Sequence, residues 1–269
     1  MERYFIQDRQ EAFEVHNAHK HVLPAVVSIP HSGVLLPEDM RCSLKPEVVL
    51  PNVDWYLPVL YGFLQEWDFT VLMNRVSRYG ADVNRAQEDC VGASYKTNVC
   101  YTHTTQGDAM YQTELTEIVR RERLARYYAP YHAALAQLLA EKKRRFAKVY
   151  LLDLHSFGLD FGADVILGDR FGCACEPELT EFLSGVFVQQ GFSVGRNEPF
   201  AGGYITRRYG LEQGSCSAVQ IELWYRAYLA RRVFGKEVFP RVEPALFERA
   251  QRSLRAIFIA LREWMQQQM

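Results

Sequence analysis

The sequence lacks the features that mark membrane-spanning, nucleic-acid-binding and disordered proteins. It has no uninterrupted run of about 18 apolar residues, which a transmembrane helix requires. Its 31 basic and 32 acidic side chains give a formal net charge of -1, so no excess of positive charge is available for nucleic acid or for an anionic membrane. Hydrophobic residues make up 48% of the 269-residue chain. We therefore expect a folded protein with a substantial core and a small-molecule partner.

Cysteine is scarce and poorly placed for a structural metal site. Of the six cysteines, only Cys173 and Cys175 are close in sequence, and C-x-C is not the C-x-x-C pair of a zinc site. We interpret the cysteines as reduced thiols, with metal binding by Cys173 and Cys175 as the alternative. The first residues, MERYFIQDRQEAFEVH, are charged and lack the apolar centre of a signal peptide. These features predict a cytoplasmic protein.

The chain also lacks internal repeats, low-complexity tracts and linkers, and we expect one catalytic domain over residues 1–269. Short apolar runs alternate with helical patterns, which predicts a three-layer α/β/α sandwich with a mixed, largely parallel sheet. Residues 1–20 are expected to form an edge element. Strands are predicted at 22–30, 68–75, 78–85, 147–156, 163–169 and 217–225, with 163–169 as the partner of 147–156. Helices are predicted at 52–67, 113–128, 130–145, 178–190 and 243–267.

Residues able to bind a metal or move a proton stand at the ends of three predicted strands. His31 follows the first strand in SIPHSG, Asp153 and His155 lie in LLDLHS, and Glu222 lies in QIEL. In a parallel sheet such carboxyl ends converge on one crevice. Two imidazoles with a carboxylate are a recurrent zinc ligand set that leaves one position for water. Asp153 faces the same side of its strand as His155, where a carboxylate fixes the tautomer of a ligating histidine.

Each of these side chains also has a purely structural interpretation. His31 is alternatively a turn residue, and His155 is alternatively bonded to backbone. A salt bridge is the alternative for Glu222, but an ionised carboxylate in an apolar strand is costly without a function or a partner. We therefore consider Glu222 the candidate general base.

Other polar residues are assigned structural roles. The closely spaced His16, His19 and His21 are interpreted as a solvated face rather than a metal site. His132 is expected to brace the core, and the basic run 142–145 is expected to be the exposed end of a helix, where positive charge suits the helix dipole.

Six segments together resemble the ordered motifs of the N-formylglutamate amidohydrolase family, a relative of zinc carboxypeptidases and aspartoacylases. They are SIPHSG, SRYGADVNR, YYAPYH, LLDLHSFG, NEPFAGGYITRRYG and AVQIEL. The resemblance implies a zinc-exopeptidase-like fold with one metal ion per chain, usually zinc. It departs from the superfamily at Val34, where a metal-binding glutamate is usual. We therefore assign the third ligand, beside His31 and His155, to Asp54. The alternative for Asp54 is a carboxylate favoured by a helix N-terminus.

The resemblance also implies a substrate-binding set. Asn84 and Arg85 match a pair that grips the substrate's carboxylate, for which a planar guanidinium is suited. The alternative for Arg85 is a surface ion pair. In FAGGYITRRYG, Gly203 permits close approach of backbone to a ligand, Tyr204 would donate to the reacting carbonyl, and Arg207 would meet a second carboxylate. A glycine-rich hairpin with solvated arginines is the alternative.

These assignments predict zinc-dependent hydrolysis of an N-acyl amino acid, namely N-formyl-L-glutamate to formate and L-glutamate. Glu222 would take a proton from the attacking water and deliver one to the departing amine. Two alternatives stay open: hydrolysis of another N-acyl amino acid or a short peptide, and non-catalytic binding of a dicarboxylate. The irregular segment 97–112 is long enough for an active-site loop. The sequence does not indicate the oligomeric state.

Overall fold

The computed structural model describes residues 11–89, 94–214, 216–231 and 239–269. Cys90 and the first ten residues of the predicted N-terminal edge element lie outside this range. Within it, no helix combines the length and the apolar character needed to cross a lipid bilayer. The strands are β1 (Phe13–His16), β2 (Ala25–Ile29), β3 (Thr70–Asn74), β4 (Tyr150–Phe157), β5 (Val165–Gly168), β6 (Val194–Arg196) and β7 (Ser217–Trp224).

The described strands form one seven-stranded sheet in the order β1-β3-β2-β4-β7-β5-β6. The pairs β2-β3, β2-β4, β4-β7 and β5-β6 are parallel, whereas β1-β3 and β5-β7 are antiparallel. The predicted mixed, largely parallel α/β sheet is confirmed. Because β2, β4 and β7 are adjacent and parallel, their carboxyl ends meet at one edge of the sheet.

Helices cover the sheet, since every residue of β2, β4 and β7 is buried. The helices are α1 (Glu38–Ser43), α2 (Leu57–Leu60), α3 (Glu117–Arg123), α4 (Ala129–Lys143), α5 (Pro177–Gln189), α6 (Tyr204–Tyr209), α7 (Leu211–Gly214) and α8 (Pro244–Gln267). Helix α4 packs on β2 and β3, α5 packs on β5 and β6, and α6 packs on β4 and β7. Helix α8 buries one stripe of side chains and packs against α5 and α2: Ala250, Leu254, Ile257, Phe258, Leu261 and Met265.

One predicted strand and one predicted strand pairing are wrong. Residues 78–85 form turns rather than a strand, because the polar groups of this segment bond to one another, as in the contacts of Asp82 with Arg78 and with the backbone N–H of Asn84. Residues 163–169 do form β5, but β5 does not pair with β4. Strand β7 lies between them, parallel to β4 and antiparallel to β5. Neighbours in sequence are often, but not always, neighbours in a sheet.

One predicted helix, one alternative interpretation and one predicted exposure also need correction. The predicted helix 52–67 is broken into α2 and a 3₁₀ turn at Gly62–Gln65, after Tyr56 adopts a positive φ of 60°. The glycine-rich segment 200–210 is not a hairpin, since Gly203 precedes helix α6. In the basic run 142–145, Lys142 is buried rather than solvated, because its Nζ donates to the carbonyls of Lys20 and Leu23, each at 2.8 Å.

Candidate active site

His31 reaches the sheet edge through a tight turn that follows β2. The amide of Asn74 donates to the carbonyl of Pro30 at 2.9 Å and fixes the chain just before His31. A Cβ atom on Gly33 would lie 2.3 Å from the carbonyl oxygen of Val76, so the turn packs against that backbone only with glycine at this position. The SIPHSG motif therefore places one buried imidazole at the end of a central strand.

Three buried side chains, His31, Asp54 and His155, converge at this edge. Their ligand-type atoms all lie within 4.8 Å of one another. Oδ2 of Asp54 lies 3.1 Å from Nδ1 of His155 and 4.0 Å from Nδ1 of His31. The centroids of the two imidazole rings are 4.7 Å apart. The predicted convergence of two distant histidines with a carboxylate is therefore present.

A further carboxylate contacts each imidazole at Nε2, the ring nitrogen on the side away from Asp54. Nε2 of His31 lies 2.7 Å from Oδ1 of Asp82, and Nε2 of His155 lies 2.9 Å from Oδ2 of Asp153. Each carboxylate can accept an N–H from the Nε2 beside it, so Nδ1 of each ring is the nitrogen that faces Asp54. The contact of Asp153 with His155 is the one that the sequence predicts, whereas Asp82 was missed because it lies in the irregular segment misassigned as a strand.

Burial and the nearby charges shift the pKa values of the groups in this cluster. Burial lowers the pKa of His31 to about 4, so that this ring is neutral near pH 7. Burial alone would lower the pKa of His155, but the carboxylates of Asp153 and Asp54 outweigh it and hold that pKa well above its usual value. Burial alone would raise the pKa of Asp82, but His31 and the guanidiniums of Arg85 and Arg78 hold it well below its usual range.

The His31, Asp54 and His155 set suits a divalent metal of the zinc type. It offers two imidazole nitrogens and one carboxylate oxygen, which is a common catalytic zinc set with one position left for water. Asp54 lies in a loop before α2, not within a helix, and two hydrogen bonds tie it to the His31 turn. Its N–H donates to the carbonyl of His31 at 3.2 Å, and its carbonyl accepts from Oγ of Ser32 at 2.7 Å. This loop brings a carboxylate to the cluster although Val34 cannot supply one.

Glu222 lies beside the cluster on β7, where it is paired with His155 in the parallel register. Paired residues of parallel strands face the same side of the sheet, so the Glu222 side chain lies on the His155 side. Its Oε1 accepts a hydrogen bond from Nε2 of Gln220 at 2.8 Å, rather than from a lysine or arginine of the described chain. Burial raises its pKa to about 7, although His155 opposes the shift. A carboxyl group with that pKa exchanges protons readily near neutrality.

Asn84 connects the cluster to helix α6. Its Nδ2 lies 3.2 Å from Nε2 of His155, and its Oδ1 accepts from the N–H of Ile205 at 2.8 Å. A Cβ on Gly203 would lie 2.4 Å from Nδ2 of Asn84, so glycine is required for this approach. Gly203 also donates its N–H to Oε1 of Gln220 at 2.7 Å. The oxygen of the amide predicted to grip substrate is thus already engaged by the backbone of Ile205.

A cavity of about 420 Å³ lies over the cluster and is bordered by two arginines. Arg85, the predicted carboxylate anchor, donates to the carbonyls of Asn84 and Tyr95 at 2.9 and 3.3 Å. Arg78, which the sequence did not single out, is buried and contacts Asp82 at 3.1 Å. Its Nε is buried without a hydrogen-bond partner among the described residues. The cavity therefore contains cationic donors beside the candidate metal ligands.

Tyr204 and Arg207 do not line this cavity. They border a smaller one of about 190 Å³, together with Gly203 and Arg85. The hydroxyl of Tyr204 accepts from Arg208 at 2.5 Å, and Nη2 of Arg207 lies 2.7 Å from Oδ2 of Asp89. Tyr204 is therefore not placed beside His31 and His155, where donation to the reacting carbonyl would require it, and Arg207 is engaged by Asp89.

One wall of the larger cavity is apolar. It is formed by the segment after β4 and by the segment before Gly202: Phe157, Leu159, Phe161, Pro199, Phe200 and Ala201. The rings of Phe157, Phe161 and Phe200 lie with centroids 5.5 to 5.7 Å apart. Leu159 and Phe161 remain exposed. A ligand in this cavity meets polar groups on one side and aromatic surface on another.

The remaining predicted residues lie apart from the cluster. His132 packs among tyrosines, and its Nδ1 lies 3.0 Å from the hydroxyl of Tyr209. His16 contacts Glu14 at 3.3 Å. Cys173 and Cys175 are free thiols. Thr105, within the predicted active-site loop 97–112, borders the larger cavity.

The sequence of this chain is similar to those of known proteins. The sequence profile of N-formylglutamate amidohydrolase matches residues 23–229. The N-formylglutamate deformylase of Pseudomonas putida is 32% identical over 223 residues, which cover 78% of this chain and 84% of that protein. The deformylase of Pseudomonas aeruginosa is 32% identical over 219 residues, which cover 77% and 82% respectively.

A solved structure agrees with the sequence comparisons. The crystal structure of N-formylglutamate amidohydrolase from Ralstonia eutropha superposes with a TM-score of 0.82 at 25% identity, and covers 97% of this chain and 100% of that one. The matched residues 23–229 include His31, Asp54, His155 and Glu222. The chain therefore belongs to the N-formylglutamate amidohydrolase family.

Proposed function

We propose that the protein is a zinc-dependent amidohydrolase that converts N-formyl-L-glutamate and water to formate and L-glutamate. The observation that carries this proposal is the buried His31, Asp54 and His155 cluster, which shares one cavity with Glu222. The names of the 32% identical relatives support the choice of substrate. A binder of dicarboxylates would need the arginines but not Glu222.

The donor set supports a metal held by His31, Asp54 and His155. Zinc bound by such a set acts as a Lewis acid and lowers the pKa of water. Asp82 and Asp153 can each accept an N–H from Nε2, so that Nδ1 of each ring would be the ligand atom once His155 has lost the proton that Asp153 and Asp54 favour. These two carboxylates are positioning residues, because they act through the imidazoles.

Glu222 moves the proton in the proposed reaction. Its carboxylate takes a proton from the attacking water as the water oxygen bonds to the formyl carbon. It then gives a proton to the amide nitrogen as the C–N bond breaks, so that glutamate leaves as a neutral amine. Burial favours the protonated form of Glu222, whereas a bound cation would favour its carboxylate, and these opposed effects suit a group that accepts and then returns a proton. Gln220 orients Glu222 through the hydrogen bond at 2.8 Å.

The two arginines of the cavity bind the oxygens of the substrate. Arg78 lines the cavity beside the candidate metal ligands, and we assign its guanidinium to the formyl oxygen, where negative charge develops. Arg85 borders both cavities. We assign it to the α-carboxylate, because a guanidinium has five donors and, among the described residues, two of them contact protein carbonyls.

The test is direct assay of both products. Purified protein incubated with N-formyl-L-glutamate should release formate and glutamate in equal amounts. A chelator should abolish the release, and added zinc should restore it, because the metal is required for attack by water. Intact substrate after incubation of the zinc-loaded protein would exclude this activity.

A second candidate, hydrolysis of N-acyl amino acids with larger acyl groups, is favoured by the aromatic wall of the cavity. A formyl group does not need the apolar surface of Phe157, Phe161 and Phe200. The series N-formyl-, N-acetyl- and N-hexanoyl-L-glutamate separates the two functions. Formyl specificity predicts a falling kcat/KM along the series, whereas use of the aromatic wall predicts the highest kcat/KM for the hexanoyl compound.

A further inference from the structure

A second cavity of about 190 Å³ adjoins the one that contains the metal cluster. The two cavities share five lining residues: Asn84, Arg85, Lys96, Gly202 and Gly203. The shared residues include Arg85, which is the proposed anchor for the α-carboxylate. A substrate held at Arg85 can therefore extend one of its groups into the second cavity. At about 30 Å³ per water molecule, the second cavity has room for a short side chain but not for a peptide.

The second cavity is strongly cationic. Four cationic side chains border it: Arg85, Lys96, Arg170 and Arg207. One carboxylate, Asp89, lies among them, and its Oδ2 is 2.7 Å from Nη2 of Arg207. The charges of Arg207 and Asp89 thus compensate each other. Three positive charges are left on the lining, which favours an anionic ligand.

Arg170 is the cation best placed to bind such an anion. Its Nε is buried and has no hydrogen-bond partner among the described residues. Its Nη1 lies at 3.5 Å from the carbonyl of Gly202, at the limit of a hydrogen bond. Its backbone is fixed, because its N–H donates to the carbonyl of Ala201 at 2.7 Å. The guanidinium borders the cavity, and its NH₂ groups can donate to a carboxylate there.

We infer that the second cavity binds the side-chain carboxylate of an acidic N-acyl amino acid, with Arg170 as the main specificity-determining residue and Lys96 as its partner. This inference rests on the proposed function and deepens it. It moves the second anchor from Arg207, which Asp89 engages, to Arg170. The cavity therefore selects glutamate-type substrates over their neutral amides, because a charge-assisted bidentate contact is lost when oxygen is replaced by an amide NH₂.

The test compares N-formyl-L-glutamate with N-formyl-L-glutamine, which has nearly the same shape but lacks the side-chain charge. The wild-type protein should prefer the glutamate compound in kcat/KM by about 10- to 100-fold, as expected for a hydrogen bond to a charged group. In Arg170→Met, kcat/KM for the glutamate compound should fall by a similar factor, mainly through KM. Its kcat/KM for the glutamine compound should change by less than about 3-fold, and this second substrate reports that the variant is folded.

Two further variants complete the experiment. Lys96→Met, at an exposed side chain of the same cavity, should lower kcat/KM for the glutamate compound by a smaller factor and leave kcat/KM for the glutamine compound unchanged. If Arg170→Met does not fold, Lys96→Met alone tests the inference. The control is Arg144→Met, which removes an exposed positive charge at the end of α4 and should change neither value.

The outcomes separate this inference from the proposed function. A wild-type protein that hydrolyses both compounds equally well would overturn the inference and leave amide hydrolysis intact. Equal losses on both compounds in folded Arg170→Met would also overturn it, because Arg170 would then not discriminate charge. Failure of the wild type to hydrolyse either compound overturns the proposed function itself, and the inference with it.

Discussion

Nε2 of His31 lies 2.7 Å from Oδ1 of Asp82, a carboxylate that also contacts Arg78 at 3.1 Å. This contact fixes an imidazole that is part of the candidate metal cluster. Asp82→Asn would place an amide NH₂ against Nε2 and favour the tautomer with a proton on Nδ1, where the metal should bind. We expect zinc affinity to fall by about 10- to 100-fold, as measured by competition with a chromophoric chelator. Glu47→Gln, which removes an exposed negative charge elsewhere, is the control and should bind zinc as the wild type does.

If Asp82→Asn bound zinc as tightly as Glu47→Gln in this chelator competition, Asp82 would not be needed to position His31 for the metal. A circular dichroism spectrum identical to that of the wild type would show that the variant is folded.

Glu222→Gln should separate metal binding from proton transfer. The amide keeps the shape of the side chain and can still contact Gln220, but it cannot accept the proton of water. We expect kcat to fall by about 10²- to 10⁴-fold, with zinc content near that of the wild type. Stopped assays of formate release, together with metal analysis, check both parts. A variant that retained more than about half of the wild-type kcat would remove Glu222 from the mechanism.

Part of the candidate site could be predicted from local sequence patterns. The apolar runs of β2, β4 and β7 located three strands, and the polar residues at their ends located His31, His155 and Glu222. Side chains two residues apart in a strand face the same side, and this alternation correctly predicted the contact of Asp153 with His155. These signals are local, because they depend on residues within a few positions of one another.

The rest of the site depends on distant contacts. Asp82 and Arg78 lie in turns held by their own polar contacts, and no periodic pattern marks such a segment. Asp54 was selected only through the family resemblance, because its loop is tied to the His31 turn by hydrogen bonds that the sequence does not reveal. The position of β7 between β4 and β5 could not be read from strand order along the chain.

His132 should make the stability of the protein sensitive to acid. Burial lowers its pKa from 6.5 in the unfolded chain to about 4 in the fold. Between these values the unfolded chain binds more protons, so the free energy of unfolding should decrease as pH falls from about 7 to 4. The loss from this residue is about 3 kcal/mol at most. Urea unfolding at several pH values measures it.

The matched variants are His132→Gln and His19→Gln, the latter at an exposed side chain. His132→Gln should flatten the dependence of unfolding free energy on pH, whereas His19→Gln should retain the wild-type slope. Equal slopes in all three proteins would show that His132 titrates normally in the fold.

Lys142→Met should destabilise the protein without affecting the site. The Nζ of Lys142 donates to the carbonyls of Lys20 and Leu23, both at 2.8 Å, and its loss leaves these acceptors unpaired. We expect the free energy of unfolding in urea to fall by about 1–3 kcal/mol. Lys143→Met, at the exposed neighbouring position, should change it by less than about 0.5 kcal/mol. Equal changes in the free energy of unfolding for the two substitutions would show that the buried hydrogen bonds of Lys142 do not stabilise the fold.

The most direct test of the account is the zinc content of the protein and of variants in its candidate ligands. After dialysis against a weak chelator, elemental analysis should find about one zinc ion per wild-type chain, as for a single three-ligand catalytic site. His31→Ala, Asp54→Ala and His155→Ala should each lose most of the metal, and His19→Ala should retain it. Full zinc content in all three ligand variants, or full hydrolytic activity in metal-free wild-type protein, would contradict the account.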